Sequence, residues 1–471
     1  MKFLLLTGLL VSTGLHAQVP DAPAPAPPPA PAATPPAVAP PPAPAAALTP
    51  PPAPVPATSQ DPLAVSKISA LGPTPDWTRL EAYSGSMTRA EFEKLWKDFY
   101  SEANALPPPF EITDAALIVP TGQLQKPTVR VAFRAANESP AAAADSTARA
   151  PWRRAKELTP RQGRPLLSDL HIALDPGHIG GSWAVMEERF LSFKGGESIR
   201  EGDLSLLTAQ VLKERLTALG AIVSLVRENN DPVTKKRPVD LEKDARQVLT
   251  ESGFSEPQEK YDGLTGDAKL LTVQWQSEKL FYRVSEIRAR GERVNEQIKP
   301  DLVLCLHFNA ESWGDATSPQ FSPQNHLHIL VNGCYSNTEL MQQDVRFEML
   351  TRLLGRVHEE EIPLGNAVAE GMARHTGLPA YVYTTPNARR PGSNPYVYAR
   401  NLLANRIYRC PVVYLEPYVM NHEETYRRLL AGHYLGRTLI GGRLTTSAIE
   451  DYVRGIVDGL VSYYQNNRRG S

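Results

Sequence analysis

Nearly continuous apolar runs, spaced by helix-length amphipathic segments, constrain this chain more than any other feature. His171–Leu174 (HIAL), Ala221–Val226 (AIVSLV), Leu302–Leu306 (LVLCL), Leu327–Val331 and Pro411–Leu415 (PVVYL) each read as a strand. They lack the polar–apolar alternation of a strand with one wet face, so each is expected to be covered on both faces. Between the first two, Asp203–Leu219 puts Leu204, Leu207, Leu212, Leu216 and Leu219 on the inner side of a helix, with Gly220 at its end. Arg288–Ile298 reads as a helix leading into LVLCL. Ser447 opens a last helix that carries Ile449, Val453, Ile456, Val457, Leu460 and Tyr464 on one side. This order predicts an α/β three-layer sandwich with a mainly parallel twisted sheet.

The chain ahead of that sandwich reads differently. Met1-Lys2 followed by Phe3–Leu10 (FLLLTGLL) and Leu15-His16-Ala17 has the form of a signal peptide, residues 1–17. The apolar stretch is too short to cross a bilayer, and no cysteine lies near the cut to carry a lipid. The expected location is outside the cytoplasm, in the periplasm, cell envelope or medium. Residues 18–60 form a Pro/Ala-rich linker; Val19–Gln60 holds 18 of the chain's 44 prolines, favours extended polyproline II and builds no core. Residues 61–134 predict a small α+β module. Within it, Thr88 and Glu91 form a capping box, Phe92, Leu95, Trp96, Phe99 and Tyr100 share a helix face, and Val129, Val131 and Phe133 alternate with polar neighbours. Residues 135–166 read as a second linker.

Charge and cysteine usage narrow the classes. Fifty Lys+Arg against 51 Asp+Glu leave a net charge of −1, with no basic footprint for nucleic acid or an anionic membrane. Three cysteines cannot make a disulfide framework. Cys305 reads as a small buried hydrophobe, and a Cys334–Cys410 bridge is left open.

In open α/β sheets, ligands gather beyond the carboxyl ends of the strands. His178 follows HIALDPG, His307 follows LVLCL, Glu416 follows PVVYL, and Glu201 precedes the first long helix. Two imidazoles and a carboxylate make a ligand set suited to zinc, which in catalytic sites keeps a position open for water. A fourth polar residue is then free to act as a base.

These residues stand in motifs that resemble the zinc-dependent N-acetylmuramoyl-L-alanine amidases (amidase_3 type) over roughly residues 168–467. IALDPGHIGG (172–181), REGDLSLLTAQVLKERLTALG (200–220), IRARGERVNEQIKPDLVLCLHFNA (287–310) and PVVYLEPYVMN (411–421) follow the family's order. The resemblance implies a catalytic domain over 167–467 that cleaves the amide between N-acetylmuramic acid and the L-alanine of the peptidoglycan stem. It implies His178, Glu201 and His307 as Zn²⁺ ligands and Glu416 as the catalytic acid/base. Asp175 and Asn309 are candidates to orient the histidines from behind, Asp175 also being able to cap its own turn.

The sequence departs from the family at Ile179, where glycine is usual, and at Pro417-Tyr418-Val419. The long gap between His178 and Glu201 contains Glu187, Glu188 and Glu197 as competing carboxylates, while Leu204 and Leu206 set Glu201 in the family's register. Residues 231–282 form a charged insertion, read as a lid, a docking surface for an activator protein or a solvated excursion. The resemblance adds weight to the lid, because some family members carry a helical insertion that a partner displaces. His326 and His328 read as structural. The competing readings are another zinc peptidase or deacetylase, and a non-catalytic wall-binding regulatory module.

Overall fold

The double-sided burial expected of the apolar runs is what builds the centre of the molecule. The computed structural model describes residues 67–102, 108–122, 127–138, 151–159, 163–193, 196–312 and 319–468. The signal-peptide and Pro/Ala-linker readings lie outside these residues. A small antiparallel sheet comes first, with β1 (Glu111–Ile112), β2 (Ala116–Pro120) and β3 (Thr128–Ala132) in that order. The main sheet holds β4 (His171–Pro176), β7 (Ile222–Leu225), β8 (Leu302–Leu306), β9 (Leu327–Val331), β10 (Val397–Ala399) and β11 (Val412–Pro417), in the order β10-β9-β11-β8-β4-β7. A two-stranded ribbon, β5 (Phe190–Leu191) with β6 (Ile199–Arg200), sits in the connection after β4.

The main sheet is mixed. β10–β9, β11–β8, β8–β4 and β4–β7 pair in parallel, whereas β9 runs antiparallel to β11. Successive side chains of one strand therefore serve two cores. Leu302, Leu304 and Leu306 join the larger core with the helices Glu201–Ala218, His358–Thr376 and Ala448–Asn467, while Val303 and Cys305 join a second core with Val412, Tyr408 and Cys410. With helices on both faces, the sheet is the middle layer of a three-layer α/β arrangement. β10, only three residues long, has no signal of its own in the sequence. It pairs at the edge because β9 offers it a register, Val397 opposite Ile329 and Ala399 opposite Val331.

Several local expectations hold in detail. Thr88 and Glu91 cap their helix reciprocally, and Phe92, Trp96, Phe99 and Tyr100 are buried. Those aromatics belong to the same core as the helix Gln343–Leu354, against which Trp77 sets its ring edge-on to Phe347 at 5.5 Å. Ser447 caps the last helix by accepting from the Glu450 amide. The helix leading into β8 is longer than Arg288–Ile298: it runs as Val273–Leu280, Phe281–Ser285, Glu286–Glu292 and Arg293–Ile298, with two π-turn stretches.

The three cysteines are free and buried, so the Cys334–Cys410 bridge is not formed. Cys334 lies in the larger core and Cys410 in the second. Among the described residues no helix is long and apolar enough to cross a membrane.

The insertion at 231–282 is not merely a solvated excursion. Its helices Glu242–Glu251 and Val273–Leu280 enclose a third core in which Leu241, Ala245, Leu249, Val273 and Leu280 are buried, while the short helix Gly266–Leu270 lies outside it. Ile179, from the turn after β4, is fully buried in that same core, and Trp183 and Met186 pack against it. Glycine at 179 would leave this core without its central side chain. Ile179 and the insertion therefore share one core.

Candidate metal centre

Three side chains that could hold a metal come from three elements at one edge of the main sheet. His178 stands in the turn after β4, His307 immediately past β8, and Glu201 opens the helix Glu201–Ala218. Their donor atoms all lie within 4.8 Å of one another. His178 Nε2 is 3.2 Å from Glu201 Oε2, and His307 Nδ1 is 3.0 Å from Glu201 Oε1. Two ligands on one tetrahedral zinc ion sit about 3.4 Å apart at ordinary bond lengths. The donor chemistry and the spacing therefore fit a zinc-sized cation.

The turn that carries His178 is held against its own backbone preference. His178 has φ of 57°, a left-handed conformation that costs a non-glycine residue roughly 1–2 kcal/mol. Buried Arg290 supplies the restraint. Its Nη1 donates to the Asp175 carboxylate at 2.9 Å and to the Pro176 carbonyl at 2.7 Å, and its Nη2 donates to the His178 carbonyl at 2.7 Å. Glu286 accepts from its Nε at 2.7 Å, one helical turn away. Arg227, also buried, donates to the Gly202 carbonyl at 2.7 Å, and the Ser205 hydroxyl donates to the Gly177 carbonyl at 2.6 Å. Gly177 is required by contact, because a Cβ there would sit 2.3 Å from the His307 ring.

The competing carboxylates separate cleanly. Glu187 is buried, its Oε2 lying 3.7 Å from His178 Nδ1 and accepting from the Ile179 amide at 3.0 Å. It supports His178 from the side opposite Glu201. Glu188 is exposed and pairs with Lys269, and Glu197 is exposed, with its carbonyl accepting from Tyr426. Among the described residues Asp175 makes no hydrogen bond to a histidine. Its carboxylate accepts instead from Arg290 and, at 2.5 Å, from the Tyr408 hydroxyl. Among the described residues Asn309 makes no hydrogen bond to a histidine; its side chain accepts from the Ala310 amide, and its backbone extends the β8–β11 pairing to Tyr418 and Met420.

The chain is similar to N-acetylmuramoyl-L-alanine amidases of known structure. Ami1 of Mycobacterium abscessus matches at 14% identity, over 63% of this chain and 99% of its own, with a TM-score of 0.33. The CwlD amidase of Clostridioides difficile, solved in complex with the GerS lipoprotein, matches at 14% identity over 63% and 99%, with a TM-score of 0.35. AmiC2 of Nostoc punctiforme matches at 13% over 64% and 100%, with a TM-score of 0.32. No family model matches the chain, and no curated protein does. At TM-scores this low, what the chain does has to be read from its own side chains.

The electrostatics at the rim are those of a site made for positive charge. Burial would lower the His178 pKa, but Glu201 and Glu187 outweigh it and hold the imidazole up at about 9. A proton on His178 thus supplies the cation that the carboxylates call for. Burial lowers His307, only partly offset by Glu201, and favours the neutral imidazole that a metal needs. Burial would raise Glu201, yet the two histidines hold it well below the usual carboxylate range.

Glu416 is the fourth predicted residue, at the end of β11 and on the sheet face that also carries Tyr414. Tyr414 stacks on the His307 ring at 4.4 Å and 16°, which keeps the two strand ends side by side. Glu416 is half-buried, and its carboxylate makes no hydrogen bond among the described residues. Burial, with the Glu201 charge behind it, pushes its carboxyl up to about 8, against the opposing pull of His178, Arg189 and Arg400. A carboxyl with this affinity for a proton can take one from water and return it. From the sequence, Glu187 stood only as a rival to Glu201, not as its partner across His178, and Arg189, Arg290 and Arg400 carried no assignment. For Arg290 a signal existed, since Glu286 lies one helical turn before it; the others act across the fold.

Proposed function

We propose that the chain is an exported zinc-dependent N-acetylmuramoyl-L-alanine amidase that hydrolyses the amide between N-acetylmuramic acid and the L-alanine of the peptidoglycan stem. The observation that carries this reading is the convergence of His178, Glu201 and His307 on one point, beside a half-buried Glu416 left out of that cluster. Zinc, when bound, lowers the pKa of a coordinated water toward ~7 and polarises a carbonyl. His178, Glu201 and His307 would hold the ion, with the Glu187 carboxylate 3.7 Å from the other nitrogen of the His178 ring. Glu416 accepts the proton of the attacking water and hands it to the amine nitrogen as the amide breaks. Burial and the nearby Glu201 charge raise its proton affinity above that of a free carboxylate. A non-catalytic wall binder would have no use for Glu416, and a peptidase or deacetylase of this architecture is separated by its products.

Purified protein assayed for zinc, together with mass spectrometry of digested peptidoglycan, tests this. One zinc per chain and release of intact stem peptides beginning in L-alanine are expected. Products cut within the peptide, or deacetylated sugars, would replace the reading with one of its rivals.

We assign the outer face of residues 231–282 to an activator protein that controls access to the site. Support comes from its exposed charge (Lys235, Lys236, Arg237, Asp240) and from the sharing of its core with Ile179, next to His178. Replacing the segment's outer helix Gly266–Leu270 by a Gly/Ser linker should raise basal wall hydrolysis; unchanged hydrolysis by a folded variant would leave only a brace.

A further inference from the structure

Beyond Glu416 the sheet does not end in loops but continues into a packed aromatic ledge. Glu416 lies directly opposite His328 across the β11–β9 pair, so the two side chains share a face. The segment after the helix His358–Thr376 runs beside β9, with the Tyr381 amide donating to the Leu327 carbonyl, and brings two tyrosines onto that face. Tyr381 packs on His326 at 4.6 Å and on His328 at 5.0 Å, Tyr383 meets His328 at 5.4 Å, and Tyr383 meets Tyr398 at 4.8 Å. Arg400, just past β10, lays its guanidinium over the Tyr383 ring at 5.4 Å and donates from Nη1 to the Tyr383 hydroxyl at 3.2 Å.

What the cluster presents is the guanidinium rather than the rings. One face of Tyr383 is covered by Arg400, and the rings otherwise spend their faces on one another. Arg400 is half-buried and forms no ion pair with a carboxylate among the described residues, although its charge reaches Glu416. Most partly buried arginines among the described residues do have one: Arg288 has Asp344, Arg356 has Glu359 and Arg428 has Asp451. A fixed planar guanidinium with an open fork is a carboxylate receptor.

We propose that Arg400, propped by Tyr383 and Tyr398, anchors a carboxylate of the substrate's peptide and so makes the enzyme selective for acidic stems. The inference rests on the amidase reading given above. Two strand spacings separate β11 from β10, on the order of 10 Å. An extended peptide advances ~3.3–3.6 Å per residue, so the carboxylate belongs two or three residues beyond the cleaved amide.

The test uses the full chain, N-acetylmuramoyl peptides with that carboxylate free or amidated, and the same peptides without the sugar. Hydrogen bonds to charged groups contribute roughly 1.5–3 kcal/mol, so amidation should lower wild-type kcat/KM about 10- to 150-fold, chiefly through KM. R400Q should start low on the free acid and ignore amidation, R400K should keep part of the preference, and Y383F should weaken it while the melting temperature holds. Wild-type sensitivity to amidation surviving in R400Q overturns the proposal, as does a defect of R400Q equal on the free and the amidated peptides. If wild type cleaves none of these amides, the amidase reading fails separately. Calorimetric binding of the sugar-free peptides then still decides about Arg400: loss of the free-acid preference in R400Q supports the anchor, and its persistence removes it.

Discussion

The two halves of the rim are built to opposite standards. Around His178 nearly every polar group is engaged: Arg290 touches Asp175, Pro176, His178 and Glu286, Arg227 holds Gly202, and Gly177 meets the His307 ring with no room for a side chain. Around Glu416 the carboxylate is left free of hydrogen bonds among the described residues, near two guanidiniums and an aromatic ledge. Metal ligands must be held in a geometry before the ion arrives, and their supporting partners fix it. A proton carrier must change its bonding during the reaction, so a fixed partner would oppose one of its two states. The difference teaches which residues should tolerate change in stability and which only in rate.

The sharpest way to break this division is Glu416→Gln. Turnover should fall ~10²–10⁴-fold while zinc content and melting temperature stay at wild-type values. A variant that lost zinc instead would place Glu416 in the ligand set and dissolve the contrast.

Asp175→Ala probes the other half. It strands Arg290 with one fewer partner in a buried setting, and breaking such a pair costs about 3–5 kcal/mol. Denaturant unfolding should show that loss, accompanied by weaker zinc binding, because the same guanidinium restrains the His178 carbonyl. Unaltered stability would mean the Arg290 network is not what holds the turn.

Ile179→Ala asks whether the insertion is welded to that turn. Removing a fully buried isoleucine costs roughly 2–5 kcal/mol in most cores. Proteolysis within residues 231–282 should rise first, before global unfolding; a uniform response would say that this core is no separate unit.

The smallest effect belongs to Glu187→Gln. The fold should survive, and zinc affinity measured by chelator competition should drop about 10–100-fold. An affinity equal to wild type would leave Glu187 as a turn partner of the Ile179 amide alone.

The sequence by itself pointed to five strands of the main sheet, to the helices Glu201–Ala218 and Ala448–Asn467 that cover them, and to four polar positions near strand ends. Continuous apolar runs can only be buried on both faces, and short motifs place their polar residues within a few positions of a strand end. Glu201 could be separated from Glu187 and Glu197 by the register of Leu204 and Leu206, both of which are buried. Pairings across long stretches of chain were decided by the tertiary structure alone. Asp175, expected to serve a histidine or its own turn, is claimed by Tyr408, 233 residues away, and by Arg290, 115 residues away. Glu187 joins His178 only because the loop after the turn folds back and is buried there. β10 and the ledge leading to Arg400 exist because β9 reverses direction beside β11 and offers its free edge. A carboxylate or guanidinium carries the same local signal wherever it stands in a sequence. Its partner is the opposite charge that folding buries beside it, since an unpartnered charge there would cost more than the fold can hold.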